Sequence, residues 1–325
     1  MKDSLLLSNP KELQALLTAF LKATKVSGLI PLIAIVGPTA SGKTALGIAL
    51  ARAFDGEIVS ADSRQVYTEM NIGTAKPTTT EQHSARHHLI DLVSPDQIFT
   101  LNDFQKLANQ TISKIYLRKK IPILVGGTGL YINSITQNYL LPDSQPNPVL
   151  RKEMEDLALR KGKQAVHKIL QKLDPDSAVQ IHSNNLRYVI RAIEIARQTK
   201  QPKTPKTTPS PYATFYLSID WPRAELYNRI NRRIDGQITA GLIEETKQLL
   251  AKYPDQPPAL TSLGYQEIGA YLAGRTSLAF ALEEFKKHTR NYAKRQLTWF
   301  RKIKPVYLIS GIELPDYISA FQKNQ

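Results

Sequence analysis

Eight residues near the start of the chain carry a pattern suited to one kind of chemistry. Gly37-Pro38-Thr39-Ala40-Ser41-Gly42-Lys43-Thr44 has the spacing GxxxxGK[ST]. Its glycines let the backbone wrap an anion, while amide N–H groups and a helix N-terminus point at phosphate oxygens. The Lys43 ammonium would reach a terminal phosphate, and the Thr44 hydroxyl would ligate magnesium. Such a loop binds phosphate without naming a reaction. An ATPase or small-molecule kinase would pair it with an acid after a hydrophobic strand to hold the metal. Asp62 in IVSADS and Asp91 in LIDL both answer that description, and spacing does not choose between them. A second pattern lies near the other end. Residues 285–304, FKKHTRNYAKRQLTWFRKIK, hold eight Lys or Arg and no acid, with Tyr292, Trp299 and Phe300 interleaved. Basic residues among aromatics suit phosphate contact and base stacking. Leu297 and Phe300 would turn inward, with Lys294, Arg295 and Arg301 turned outward.

The phosphate loop needs a strand before it and a helix after it, and the flanking sequence supplies both. LIAIVG (32–37) is an apolar run, and Ala45, Leu46, Ala49, Leu50 and Phe54 recur at helical spacing beyond the loop. EIVSADS (57–63), HHLIDLV (87–93) and IPILVGG (121–127) read as further strands, and Thr100 with Asp103 marks a capped helix over 100–120. Strands alternating with helices predict an α/β fold with a parallel sheet covered on both faces. Two proline-rich breaks interrupt it, LPDSQPNP (141–148) and QPKTPKTTPSP (201–211), with a mostly helical stretch at 149–200 between them. TFYLSID (214–220) returns to a strand, followed by one long helix over about 223–252. The expected organisation is a core of residues 31–141 and 213–310, a helical insertion at 142–212, an N-terminal extension at 1–30 and a C-terminal tail at 311–325. Leu13, Leu16, Leu17 and Phe20 suggest a short amphipathic helix in that extension.

Composition narrows the classes of partner. The chain has 325 residues, 42% hydrophobic and 22% charged, which excludes a disordered or collagen-like chain. Its formal charge of +15 points to an anionic partner. Residues 142–212 carry thirteen basic side chains against seven acidic. The absence of cysteine removes disulfides, thiolate nucleophiles and cysteine zinc sites. His87 and His88 are expected at a strand edge rather than on a metal. Neither a signal peptide nor a membrane span is expected, and the expected location is cytoplasmic, with an organellar address left open.

Taken together, GPTASGKT (37–44), SADSRQVY (60–67), NIGTAKP (71–77), HHLID (87–91) and GGTGLY (126–131) resemble the tRNA dimethylallyltransferase, or IPP transferase, family. The resemblance continues in DPDSAVQIH (174–182), RAIE (191–194), LTSLGYQE (260–267) and TRNYAKRQLTWFR (289–301), in the family's order across residues 32–304. It implies a P-loop-containing nucleoside triphosphate hydrolase-like core. It also implies transfer of a dimethylallyl group from dimethylallyl diphosphate to the exocyclic amine of the adenine 3′ of the anticodon. Asp62 would be the base, and Thr128 and Lys43 would meet the leaving diphosphate. Mg2+ would be bound by Thr44 through that diphosphate. Implied tRNA contacts are Asp62, Ser63, Arg64, Gln65, Thr128 and Arg151, then Arg187, Tyr188, Val189, Ile190 and Arg191. Thr261, Ser262, Leu263, Gly264, Tyr265 and Gln266 follow. The last group is Lys294, Arg295, Gln296, Leu297, Thr298, Trp299, Phe300 and Arg301. Gly126, Gly127 and Gly129 would let backbone approach a ligand, and a monomer binding a tRNA anticodon stem-loop is expected. His182-Ser183-Asn184-Asn185 departs from the family's usual HPND. The competing readings are an isopentenyltransferase acting on free adenine nucleotide, a phosphate-loop kinase and a non-catalytic RNA-binding protein.

Overall fold

Short apolar runs become a parallel sheet because each is covered on both faces. The computed structural model describes residues 4–142, 144, 146–199 and 206–323. The first unit, residues 1–136 and 210–325, opens with β1 (Ser4–Leu6), α1 (Pro10–Ser27), β2 (Ile30–Val36), α2 (Lys43–Ala53) and β3 (Gly56–Ser60). It continues with α3 (Thr79–Ser84), β4 (His87–His88), α4 (Leu101–Leu117), β5 (Ile121–Gly126) and α5 (Gly129–Thr136). The second unit, residues 137–209, holds β6 (Tyr139–Leu140), α6 (Pro148–Lys161), α7 (Lys163–Leu173), α8 (Pro175–Gln180), α9 (Leu186–Thr199) and β7 (Lys206–Thr207). The chain then returns to the first unit through β8 (Tyr212–Asp220), α10 (Arg223–Thr239), α11 (Leu242–Lys252) and a 3-10 turn (Pro258–Thr261). It finishes with α12 (Tyr265–Leu272), α13 (Leu278–Phe300), β9 (Val306–Ser310) and α14 (Leu314–Lys323).

The seven-stranded sheet has the order β1-β9-β8-β2-β5-β3-β4, with every pair parallel. Leu32 through Val36 at its centre are fully buried. Register decides where the chemistry can gather. Val36 pairs with Gly126, and Ser60 pairs with Val125. The phosphate loop, the 61–65 turn and the 127–129 loop therefore leave three adjacent strands at one edge, the carboxyl-end crevice where open α/β sheets bind ligands. At the opposite edge the buried Glu57 carboxylate accepts hydrogen bonds from Arg118 and His88, each at 2.6 Å, so the paired histidines sit in a strand-edge ion cluster.

Several boundaries differ from those expected. The strand read at 87–93 stops after His88, because Leu89 and Asp91 take positive φ of 61° and 54° and the chain bonds instead to Gln65 and Val66. The helix read over 223–252 breaks at Gly241, φ 102°, which starts α11 in a new direction. Thr100 and Asp103 do form the capping box at the start of α4. Residues read as an N-terminal extension contribute β1 to the sheet edge and α1 to the core, where Leu13 and Leu17 are fully buried. The stretch read as a tail forms α14, with Tyr317 and Phe321 buried.

The second unit has a core of its own, built on Leu150, Met154, Val166, Leu170, Val189, Ile190 and Ile193. Between the proline-rich break and its helices stands a buried carboxylate. Glu194 accepts from the Asn147 N–H at 2.6 Å and from Arg151 through two nitrogens at 3.0 Å, and it pairs with Arg191 at 2.5 Å. Burial would raise the Glu194 carboxyl, but these hydrogen bonds outweigh it and hold the group below the usual carboxylate range. The break read at 201–211 falls outside the described residues over 201–205, as do Asp143 and Gln145 of the first break.

Candidate active site

The phosphate loop holds its shape through its own backbone and through packing from β8 and α10. Gly37, Ala40 and Gly42 take positive φ of 142°, 62° and 99°, the alternation that turns successive N–H groups toward one centre. Ser41 Oγ donates to the Pro38 carbonyl at 2.9 Å, and Lys43 Nζ folds back to the same oxygen at 2.6 Å. From outside, Trp221 Nε1 donates to the Ser41 carbonyl and Arg229 Nε to the Ala40 carbonyl, both at 2.9 Å. The Arg229 guanidinium lies 4.2 Å over the Trp221 ring.

The second and third loops are laced to each other. Ala61 N–H donates to the Val125 carbonyl at 2.8 Å, and Thr128 N–H to the Ala61 carbonyl at 3.2 Å. Thr128 Oγ1 accepts from the Ser63 N–H at 3.1 Å, and its hydroxyl is hydrogen-bonded to that of Tyr292. Asp62 Oδ1 accepts from the Arg64 N–H at 2.8 Å, which aims the carboxylate by closing the turn behind it. The glycines of this region serve protein contacts. A Cβ at Gly126 would overlap the Ala61 carbonyl, and one at Gly129 would meet the Trp299 ring.

These loops, with α10, α12 and α13, enclose a cavity of about 360 Å³. Lys43, Thr44, Asp62, Arg64, Arg233 and Tyr292 line it together. Burial first, then the nearby Arg233, pushes the Lys43 ammonium down to about 7 against the pull of Asp62. Burial likewise lowers Arg233, with Asp62 opposing. Burial and the Asp62 charge push Tyr292 up to about 12, so its hydroxyl stays neutral. Lys43 and Arg233 thus share this cavity with the Asp62 carboxylate. Asp91 does not join it: its carboxylate pairs with Lys76 at 2.5 Å.

Sequence reasoning missed Arg233, Gln237 and Glu245. Arg229, Arg233 and Gln237 fall four residues apart beside the buried stripe of Leu226, Ile230 and Ile234, a signal visible only once an anion is looked for. Gln237 Nε2 donates to the Ile72 carbonyl at 2.6 Å, and the Glu245 carboxylate takes the N–H groups of Asn71, Ile72 and Gly73 at 2.9–3.1 Å. The loop NIGTAKP is clamped this way.

The residues implied as tRNA contacts fall into three groups. Asp62, Ser63, Arg64, Gln65, Thr261, Ser262, Leu263, Tyr265, Arg295 and Gln296 line the cavity. Lys294, Arg295, Thr298 and Trp299 are exposed along α13, as is Arg301 just past its end, and Gln266 is exposed on α12. Others are committed inside the protein. Gly264 and Phe300 are buried, Leu297 packs against the core, and the Tyr265 hydroxyl donates to Glu245 at 2.7 Å. Gln296 is buried between two loops. In the second unit Arg187 and Tyr188 are exposed, whereas Val189 and Ile190 are core residues and Arg151 and Arg191 hold Glu194.

Comparison with known proteins identifies the family. A family model described as IPP transferase matches residues 65–303. The tRNA dimethylallyltransferase of Exiguobacterium sp. (strain ATCC BAA-1283 / AT1b) is 48% identical over 274 residues, 83% of this chain and 87% of its own length. That of Thermomicrobium roseum is 44% identical over 280 residues, 85% of each chain. Among solved structures, the full-length tRNA isopentenylpyrophosphate transferase from Bacillus halodurans is 40% identical with a TM-score of 0.65, covering 90% of this chain and 97% of that one. A eukaryotic dimethylallyltransferase captured acting on tRNA is 29% identical with a TM-score of 0.76, covering 89% of this chain and 75% of that one. Matched by that family model over residues 65–303 and 40–48% identical to relatives across most of its length, the chain belongs to the IPP transferase family.

Proposed function

We propose that the chain transfers a dimethylallyl group from dimethylallyl diphosphate to the exocyclic N6 amine of the adenine 3′-adjacent to the anticodon. The acceptors are tRNAs reading codons that begin with U, and the products are N6-isopentenyladenosine and diphosphate. The observation that carries this reading is the convergence of a phosphate loop and the Asp62 carboxylate on one cavity. The printed names of the relatives support the same chemistry. Neither the free-nucleotide reading nor the kinase reading is favoured by any relative named above.

The adenine amine is a weak nucleophile and must lose a proton as it attacks. A bond forms between N6 and the allylic carbon while the bond from that carbon to the bridging oxygen breaks, its electron pair leaving with diphosphate. Asp62 takes the N6 proton. Lys43, Arg233 and the loop amides meet the charge gathering on the leaving group, and Thr128 adds a hydroxyl donor at the bridging oxygen. Thr44, Ser60 and Asp62 place hard oxygen donors on the same cavity, which suits magnesium carried mainly by substrate phosphates. Such an ion would add electrostatic stabilisation of the diphosphate. The acceptor base must leave its stack, at a cost of a few kcal/mol. The exposed face of α13 is assigned to holding the anticodon stem-loop. We take the enzyme as a cytoplasmic monomer; among the described residues no helix is long and apolar enough to cross a membrane.

Labelled dimethylallyl diphosphate, unmodified tRNA and AMP as competing acceptor test the reading together. Label should enter tRNA alone. Label in AMP would favour the free-nucleotide enzyme, and phosphate transfer from ATP to a small molecule without prenyl transfer would favour a kinase.

A further inference from the structure

Helix α13 faces two ways. Lys294, Arg295, Thr298 and Arg301 are exposed, while Gln296 between them is only 6% exposed. Both ends of the Gln296 amide are engaged within the protein. Its Oε1 accepts from the Thr39 N–H of the phosphate loop at 2.9 Å, and its Nε2 donates to the Gly127 carbonyl at 2.9 Å. Gly127 directly precedes Thr128 in the chain. One planar amide therefore spans the two loops that leave β2 and β5, just past the point where strand pairing ends at Val36 and Gly126. A Cβ on Gly127 would collide with Gln296 Nε2, so the fit is as close as the backbone permits.

The resemblance placed Gln296 among the tRNA contacts. We infer instead that Gln296 is a positioning residue, which sets the separation of the phosphate loop and Thr128 so that loop amides, Lys43 and the Thr128 hydroxyl converge on the bridging oxygen of the donor. This rests on the proposed prenyl transfer. Donors stabilise a leaving oxygen only when aimed at the place where its charge develops. The two loops come from different strands, and beyond the last strand pair their spacing depends on what bridges them. A displacement on the order of 1 Å at such a site costs up to about 100-fold in rate. The loss belongs to the transition state, so it should appear in kcat and leave tRNA affinity alone.

Gln296→Met keeps the length of the side chain without its hydrogen bonds. Gln296→Glu keeps an acceptor for Thr39 but turns a carboxylate oxygen toward the Gly127 carbonyl. Each is compared with the unchanged enzyme by kcat, by KM for both substrates, by tRNA Kd and by melting temperature, and Gln296→Met is repeated in a Thr128→Ala background. We expect Gln296→Met to lower kcat by about 10- to 100-fold, with tRNA Kd within about twofold. In the Thr128→Ala background the added loss should shrink to a few fold, because no hydroxyl remains to be misplaced. Equal fold losses in both backgrounds would reduce Gln296 to general support of the fold. Weakened tRNA binding with kcat preserved would restore it as an RNA contact. Full activity of Thr128→Ala would overturn both this inference and the role given to Thr128. Should Gln296→Met fail to fold, the Glu variant carries the same comparison.

Discussion

Lys43 and Asp62 line one cavity, yet their charges serve opposite ends of the proposed reaction. Asp62→Ala removes the group proposed to take the N6 proton and touches no core packing. General bases contribute roughly 10²–10⁴-fold, so turnover should fall by that factor while tRNA Kd in a filter-binding assay stays nearly unchanged. An equal loss of binding would make the carboxylate a structural element of its turn. Lys43 makes a pH prediction. Burial, followed by Arg233, holds its ammonium at about 7, well below the ordinary lysine value. A diphosphate favours the protonated form, so donor capture is strongest below that pKa and weakens as pH rises through it. The kcat/KM for the donor should therefore decline above pH of about 7. Lys43→Arg, always charged, should lose that limb of the profile; a limb that persists would belong to another group. Arg151 and Arg191 show the limit of reading charge as contact. Both are basic and both were candidates for RNA, but each is spent on Glu194.

Helix α13 carries the most concentrated charge of the chain, and its turn-by-turn placement divides its work. Phe285, Ala293 and Phe300 are buried, Gln296 reaches the loops, and Lys294, Arg295 and Arg301 stand outside. If that outer face meets phosphates, replacing the three by alanine should weaken tRNA binding and flatten its salt dependence by roughly 0.7–0.9 per lost contact. An unchanged slope in titrations at several salt concentrations would put the RNA elsewhere. The phosphate loop, the amphipathic character of α13 and the parallel sheet were readable in advance because each is a local pattern. The break between α10 and α11 was not, since apolar spacing runs through Gly241 and only its backbone angle ends the helix. The strand at His87 was overextended because the bonds that pull Asp91 and Leu92 away come from Gln65 and Val66, more than twenty residues back in the chain. Arg233 reaches the cavity, and Glu245 the 71–73 loop, by packing of helices; the four-residue spacing on α10 marks a face without saying what it faces.

The two ends of the chain meet beneath the phosphate loop, which gives the least expected part of the sequence a place in the site. β1 pairs with β9 at the sheet edge, and the Tyr317 hydroxyl donates to the Leu7 carbonyl at 3.2 Å. Leu7, Leu13, Tyr317 and Phe321 share one core with Leu46 and Leu50 of α2, the helix that begins at Lys43. Leu314 presses on Gly42, where an added Cβ would meet its Cδ2 at 2.5 Å. Helix α14 thus supports the helix that begins at the phosphate loop, where the donor is proposed to bind. Phe321→Ala should cost about 3–5 kcal/mol, as large core truncations do, a large share of a domain stability of about 5–15 kcal/mol. Its loss should be read as a lower denaturant midpoint. Because the damage lies against α2 rather than in the second unit or along α13, the KM for the donor should rise more than the tRNA Kd in whatever fraction remains folded. A variant with unchanged stability would show that α14 is dispensable to the core. A destabilised variant whose donor KM is unmoved would show that α14 supports the fold without bearing on the phosphate loop.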